Sequence, residues 1–252
     1  MKKNTKSLVL IFSALFVAFM VFGSSSCKHD PKPDPPTPVP QEPWSPDPVN
    51  GHVPESVLPS EIGEVISDCF VVYSGENPAP VRGQFVSRPH ALMATSLDPT
   101  YVYPDSVVFY NDRYICFERS SSGGVNFYGK QWDDDYDAYY EEVYRNLHSV
   151  GEGDNFTCYF LTEGYPNGMY ALQSTIFSGQ WNNNSRGLKD FQVAVILLEN
   201  SGNPNLAPKG SFRVLGDFDS LAQDTNWMAK KSSFNCYVTV SDEDAFRMFR
   251  VK

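Results

Sequence analysis

The chain is poor in the residues from which an active site is most easily read. It has four histidines. Those in its body, His52, His90 and His148, lie far apart, and no HExxH zinc motif is present. A GxSxG nucleophile elbow is absent, as is a glycine-rich phosphate loop between a strand and a helix. The five cysteines include no CxxC pair and nothing at metal-ligand spacing. Positive charge is also scarce. With 20 Lys and Arg against 30 Asp and Glu, the formal charge is −10. Nucleic acid and anionic membrane surfaces both want a basic patch, so neither is expected as a partner. No Pro-, Ser- or Gly-rich break recurs after Asn50, and the roughly 200 residues that follow are read as one domain. No cofactor is expected.

What the chain does carry begins at its N-terminus. Lys2, Lys3 and Lys6 precede an uncharged apolar run from Ser7 to Gly23, then Ser24, Ser25, Ser26 and Cys27, after which the chain turns to Lys28-His29-Asp30-Pro31. A basic n-region, an apolar h-region and small residues before a cut mark an export signal over residues 1–26. With Cys27 directly after the small residues, the segment resembles a bacterial lipoprotein precursor. That resemblance implies acylation of Cys27, a lipid anchor in the membrane, and a place at the outer membrane or cell surface. Residues 1–26 hold three lysines and no acids, so their removal takes the net charge from −10 to −13. Residues 27–49 are expected to be a tether. Half of the residues from Pro31 to Pro48 are proline, which fixes φ, removes amide donors and favours extended polyproline II. From Cys27 to Asn50 such a stalk reaches roughly 70 Å.

The domain, residues 50–252, reads as mainly β: an antiparallel β-sandwich or open barrel with one inserted amphipathic helix at about 133–148. Ser106–Tyr110 and Arg113–Glu118 flank Asn111-Asp112 as a two-residue hairpin, and Ser120–Gly124 turns into Val125–Tyr128. Asn155–Thr162 and Met169–Phe177 form a second hairpin around Gly164–Gly168. Further strands are expected at Phe191–Glu199, Ser211–Gly216, Phe234–Val240 and Ala245–Val251. The helix is drawn from Tyr136, Tyr139, Tyr140, Val143, Tyr144 and Leu147, whose spacing fits one helical face. Asp133, Asp134 and Asp135 would cap its start and Gly151 would stop it. Cys69, Cys116, Cys158 and Cys236 sit in apolar, strand-like surroundings. Export permits two bridges in three pairings, and buried free thiols are the preferred reading.

Candidate chemistry is sparse. His90, after Arg88-Pro89, is the one histidine weighed as a base, and a packing role is preferred for it. Asp133, Asp135 and Asp137 alternate as in calcium loops but lack the Gly and distal Glu of such a loop. Helix capping accounts for them, so no metal site is assigned. Asp217-Phe218-Asp219 is read as a strand end that caps Ser220–Ala229. Trp132, Trp181 and Trp227 fall at element ends, and Trp181 leads into Asn182 and Asn183. Exposed indole faces beside amide side chains suit a sugar surface, which makes these five residues the candidate ligand-binding set. Ser106 and Ser220, within Asp-Ser-Val and Asp-Ser-Leu, resemble O-glycosylation acceptors of Bacteroidota. The segment from Asp190 to Ala222 is similar to Bacteroides lipoproteins, which implies a compact, strand-rich extracytoplasmic domain and supplies no active site. The expected function is a non-catalytic binding or cell-envelope interaction module that contacts glycan or a surface protein. The alternatives are a polysaccharide hydrolase with paired carboxylates and a fimbrial or adhesion subunit that exchanges strands.

Overall fold

A computed structural model of the chain describes residues 43–134, 137–182, 184, 186–227 and 246–250. Cys27, the signal segment, most of the tether, Asp135, Tyr136, Asn183, Cys236 and the strand expected at 234–240 lie outside the described residues. Among the described residues one helix, α1 (Ser60–Ile66), precedes the strands. These are β1 (Glu76–Asn77), β2 (Gly83–Ser87), β3 (His90–Thr95), β4 (Phe109–Tyr110), β5 (Arg113–Arg119) and β6 (Val125–Asp133). They continue as β7 (Ala138–Glu152), β8 (Asn155–Gly164), β9 (Ala171–Gln180), β10 (Gly187–Glu199), β11 (Phe212–Asp217) and β12 (Leu221–Asp224). None of the described helices is long and apolar enough to cross a membrane.

The fold is mainly β, as expected. Strands β12, β2, β5, β6, β7, β8, β9 and β10 pair antiparallel in that order, and β10 pairs back onto β12 to close a barrel. The closure depends on a fork in β10. Gly187–Lys189 pair with β12, whereas Gln192–Ile196 pair with β11, which carries β3 and β4 as a side sheet. Between the two stretches the register against β9 slips, and Asp190 has φ 49°. This bulge re-aims the strand edge from one partner to the other. At the closure a Cβ on Gly187 would lie 2.2 Å from the Ala222 carbonyl oxygen, so only glycine lets β10 and β12 approach.

Alternation along the strands fills the barrel with aromatic rings. Phe85, Phe117, Phe127, Tyr144, Phe156, Phe160, Phe177 and Phe191 all belong to one buried cluster. Phe127 stacks on Phe177 at 4.2 Å between ring centroids, and Tyr144 stacks on Phe160 at 3.8 Å. Phe246 and Phe249, from the short 3-10 turn Arg247–Phe249, complete the same cluster. Residues of opposite parity, Tyr159, Leu161, Ile176, Ala194 and Ile196, face outward into a second layer. There α1 covers them with Ile62 and Ile66, spaced i and i+4 on one helical face. The chain between Cys69 and Tyr73 extends this cover. The Tyr73 amide donates to Thr157 Oγ1, and the Gln192 side chain bonds both the Val71 amide and the Cys69 carbonyl.

The helix expected at 133–148 is instead the second half of a hairpin between β6 and β7. The reason is a bulge that disguises the strand period. Tyr140, Glu142 and Tyr144 alternate along β7; then Asn146 adopts φ 55° and the register shifts between the Val125↔Leu147 and Phe127↔Tyr144 pairs. Leu147 therefore turns inward one residue late. Steps of two, two and three mimic a helical face, while the tyrosines themselves favour strands. Asp133 and Asp134 stand at the hairpin end rather than at a helix cap. Asp133 pairs with Arg247, and Asp134 accepts from Asn111. The one described helix lies upstream, at α1.

Other expectations also shift. Phe109–Tyr110 and Arg113–Arg119 do not pair with each other. The first pairs with β3, the second with β2 and β6, so Asn111-Asp112 carries the chain from the side sheet into the barrel. Leu221–Asp224 is the strand that closes the barrel, although Asp217 and Asp219 do accept the Leu221 amide at its start. The last expected strand is represented among the described residues by the 3-10 turn and a bridge from Arg250 to Leu206. Cys69 follows α1 in a turn and is half-buried, whereas Cys116 and Cys158 are buried in strands; all three thiols are free. The end of the expected tether is part of the barrel wall. Strands β7 and β8 pair only over His148–Val150 and Thr157–Tyr159, and beyond that Trp44 exchanges both backbone hydrogen bonds with Leu161, at 3.1 and 2.7 Å.

Candidate functional site

Because α1 and the chain after it cover the outside of β8 to β11, the outer wall of β5, β6 and β7 is where side chains meet solvent in number. Tyr114 lies opposite Lys130, Lys130 opposite Glu141, and Trp132 opposite Tyr139. All therefore project from the same outer face, since the residues between them, Arg113, Gly129 and Glu142, turn inward. Trp132 packs edge-on against Tyr139 at 5.1 Å, and Tyr139 is 51% exposed. Trp227 reaches this face after β12. Its Nε1–H donates to the Ile115 carbonyl at 3.2 Å, which sets the indole beside Tyr114 at 5.8 Å. The Lys130 ammonium joins the two halves, 5.2 Å from the Tyr114 ring centroid, 4.7 Å from Tyr139 and 5.0 Å from Trp227.

Three neighbouring strands span about 10 Å, so the rings form a platform as wide as a short oligosaccharide. It combines aromatic surface, which packs on the C–H faces of a sugar, with one cation and a polar rim.

The structure thus brings together two of the tryptophans singled out in the sequence and separates the third. Trp132 and Trp227 share the platform. Trp181 is a core residue, 8% exposed; its amide donates to the Asp154 carbonyl at 2.7 Å, and the ring packs with the barrel cluster. Its expected sugar-facing exposure is corrected accordingly. The Asn182 side chain bonds Asp154 at 2.9 Å rather than standing beside an exposed indole. Ser106 and Ser220 both occupy exposed turns. Tyr114 and Lys130 were missed, and Tyr139 was read as part of a helical face. The alternation Tyr128, Lys130, Trp132 in β6 is the signal that points to them once β6 is read as a strand.

A second polar group lies where the side sheet meets the barrel. His90 opens β3 and is fully buried, with Nδ1 3.0 Å from Ser87 Oγ and no partner at Nε2. Burial, helped by the Arg113 charge, holds its pKa well below the usual histidine value. Opposite it on β11, Asp217 accepts the Arg88 and Leu221 amides. Burial raises its pKa to about 6, with a hydrogen bond from Asp219 adding to the effect and bonds from Ser87 and Arg88 opposing it. Arg113 in turn pairs with the buried Glu142, which also accepts the Tyr144 hydroxyl. Gly129 makes room for this carboxylate, because a Cβ there would sit 2.8 Å from Glu142 Oε1. Ser87, His90 and Asp217 have the residue types of a nucleophilic triad but not its order. Serine rather than histidine is central, and all three are buried.

Among the described residues no three His, Cys, Asp or Glu side chains group as a metal-ligand set. Two open grooves of about 550 Å³ flank the barrel, one beside Lys209, Arg213 and Phe249, the other beside Arg82, Glu118 and Arg119. Comparison of the chain with protein-family models, with curated proteins and with solved structures finds no match.

Proposed function

We propose that the chain is an exported lipoprotein, acylated on Cys27 and held at the outer membrane or cell surface, whose barrel binds glycan without turning it over. The observation that carries the binding reading is the outer platform of Trp132, Tyr139, Tyr114 and Trp227 gathered around Lys130. The filled interior supports it, since stacked phenylalanines leave the barrel no room for a ligand and direct recognition to the outer wall. The proposed tether, counted from Cys27 to the point where Trp44 joins the wall, has a length of roughly 50 Å at full extension.

The test uses full-length protein in detergent and affinity electrophoresis against a polysaccharide panel. Retardation without release of reducing ends is expected. Trp132→Ala should weaken it about fivefold, the loss of about 1 kcal/mol of ring packing. Reducing-sugar release abolished by a single Asp or Glu substitution would overturn the reading in favour of a hydrolase. The hydrogen-bonded Asp217–Asp219 pair is a poor candidate for that chemistry. Glycosidase carboxyls stand about 5 to 9.5 Å apart, and Asp217 is buried. Cys27→Ser should abolish acyl labelling and release the protein from membranes.

The assembly reading draws on a different face. Among the described residues strand β4 is the edge of the side sheet, and its Phe109 packs on Phe218 at 5.3 Å with 54% and 41% of the two residues exposed. An open edge with apolar side chains invites strand addition. Concentration-dependent oligomers lost in Phe109→Asp would favour it.

A further inference from the structure

The platform is not a neutral one, and its charge specifies a ligand class. Lys130 sits at the centre of the rings, with its ammonium within 4.7 to 5.2 Å of three centroids. Among the described residues it takes part in none of the ion pairs and donates none of the side-chain hydrogen bonds. Glu141 stands opposite it in register. The rings hold the ammonium by their π faces, which satisfy its charge in part but accept no strong hydrogen bond. Among the described residues no oxygen acceptor takes its N–H donors, and the half-buried side chain lies within reach of solvent. This cation stands out in a chain whose formal charge is −10.

We infer that the platform selects an acidic glycan, one bearing a carboxylate or sulfate on the sugar ring, over its neutral counterpart. The anionic group accepts from Lys130 Nζ, and the sugar ring packs on the adjoining Trp132–Tyr139 pair, within one sugar's length of the ammonium. A charge-assisted bond of this kind is roughly twice as strong as a neutral one. The carboxylates near the platform, Glu141, Asp133 and Asp134, set the limit on this preference. Asp133 is neutralised by Arg247, Asp134 accepts from Asn111, and Glu141 faces Lys130 itself. A polymer of uniformly high charge density is repelled by that rim, whereas a polymer with isolated acidic sugars is not.

This inference rests on the glycan reading above, and the experiment separates the two. Full-length protein in detergent is titrated with polygalacturonate, with partly methyl-esterified polygalacturonate, and with the fully esterified, neutral polymer. Each is measured at low and high salt, for wild type, Lys130→Met, Lys130→Arg and Trp132→Ala, and folding of every variant is checked by circular dichroism and thermal melting.

The partly esterified polymer should bind about tenfold more tightly than the neutral one at low salt, and the advantage should shrink as salt screens it. That ratio should fall towards one in Lys130→Met and return in Lys130→Arg, while Trp132→Ala weakens binding to both polymers. Equal affinity of wild type for charged and neutral polymers, or a ratio that persists in Lys130→Met, overturns the acidic preference and leaves glycan binding standing. Failure of all three polymers to bind overturns the acidic preference, and absence of retardation on the whole polysaccharide panel overturns the glycan reading as well.

Discussion

Ser45 offers the most direct test of how the barrel wall is completed. At the seam where β7 and β8 cease to pair, its hydroxyl accepts the His148 amide at 2.9 Å and donates to the Tyr159 carbonyl at 2.6 Å. Ser45→Ala removes both bonds and leaves one backbone donor and one acceptor without those partners. An unsatisfied buried group costs about 1–3 kcal/mol, and water reaches a half-buried seam, so the combined loss is about 2 kcal/mol. For a domain of this size that corresponds to a fall of about 4–8 °C in Tm. Urea titration followed by circular dichroism should show a lower midpoint with unchanged slope, because the folded surface is the same. Ser67→Ala is the matched control. Its hydroxyl bonds only the Glu64 carbonyl on an exposed turn, and the change should stay within about 0.5 kcal/mol. Deletion of residues 43–49 should cost more than Ser45→Ala, since the two Trp44–Leu161 bonds go as well. If Ser45→Ala matches the control, or the deletion leaves the midpoint in place, the seam contributes nothing and the reasoning fails.

The pH dependence of stability should reveal two opposing protons. Between about pH 4 and 6 the folded chain keeps a proton on Asp217 that the unfolded chain has lost, so this group makes stability fall as pH rises, by about 1.4 kcal/mol per unit. His90 acts in the opposite sense. Folded it is neutral, unfolded it is protonated below about pH 6.5, so its contribution falls as pH drops. Relative to wild type, His90→Asn should therefore gain stability and Asp217→Asn lose it as pH falls from 6 towards 4, and parallel curves for all three proteins would refute the assignment. Thiol chemistry supplies a further check. Burial pushes the Cys116 and Cys158 thiols up to about 12, so neither should react with iodoacetamide at pH 8 until the chain is unfolded. Peptide mass spectrometry locates the label, and modification of either residue in the folded protein would contradict their burial.

The sequence made some of this architecture readable and hid the rest for identifiable reasons. Strands with uninterrupted alternation and a glycine- or proline-marked turn were legible; β8 and β9 around Gly164–Gly168 are the clearest case. The β7 segment was not, because the Asn146 bulge replaces a period of two by steps that fit a helix. Pairing was the other hidden quantity. Tyr110 and Arg113 are separated by two turn-like residues, yet their partners, His90 and Ser87, lie on different branches of the forked sheet. Such a choice depends on non-local contacts that a local pattern does not carry. Among the candidate site residues, Trp132 and Trp227 were singled out as aromatic residues at element ends, with nothing in their spacing to bring them together. They share a platform only because Lys130, between them, alternates outward from β6.

A barrel filled with phenylalanine leaves its outer wall as the surface open to contact. An eight-stranded closed sheet is just wide enough for side chains to fill it, and here the rings stack at 4.2 and 3.8 Å. Its outer wall is then divided by what covers it: α1 and the chain after it over β8 to β11, and the aromatic residues over β5 to β7. Strand β7 belongs to both regions. At His148 it takes up the incoming chain through Ser45, and at Tyr139 it supports the platform. Nine residues of extended strand separate these points by about 30 Å. The incoming chain and the platform are thus set towards opposite ends of one strand, and the face that carries Tyr139 and Trp132 stays clear of the seam where Trp44 and Ser45 join the wall.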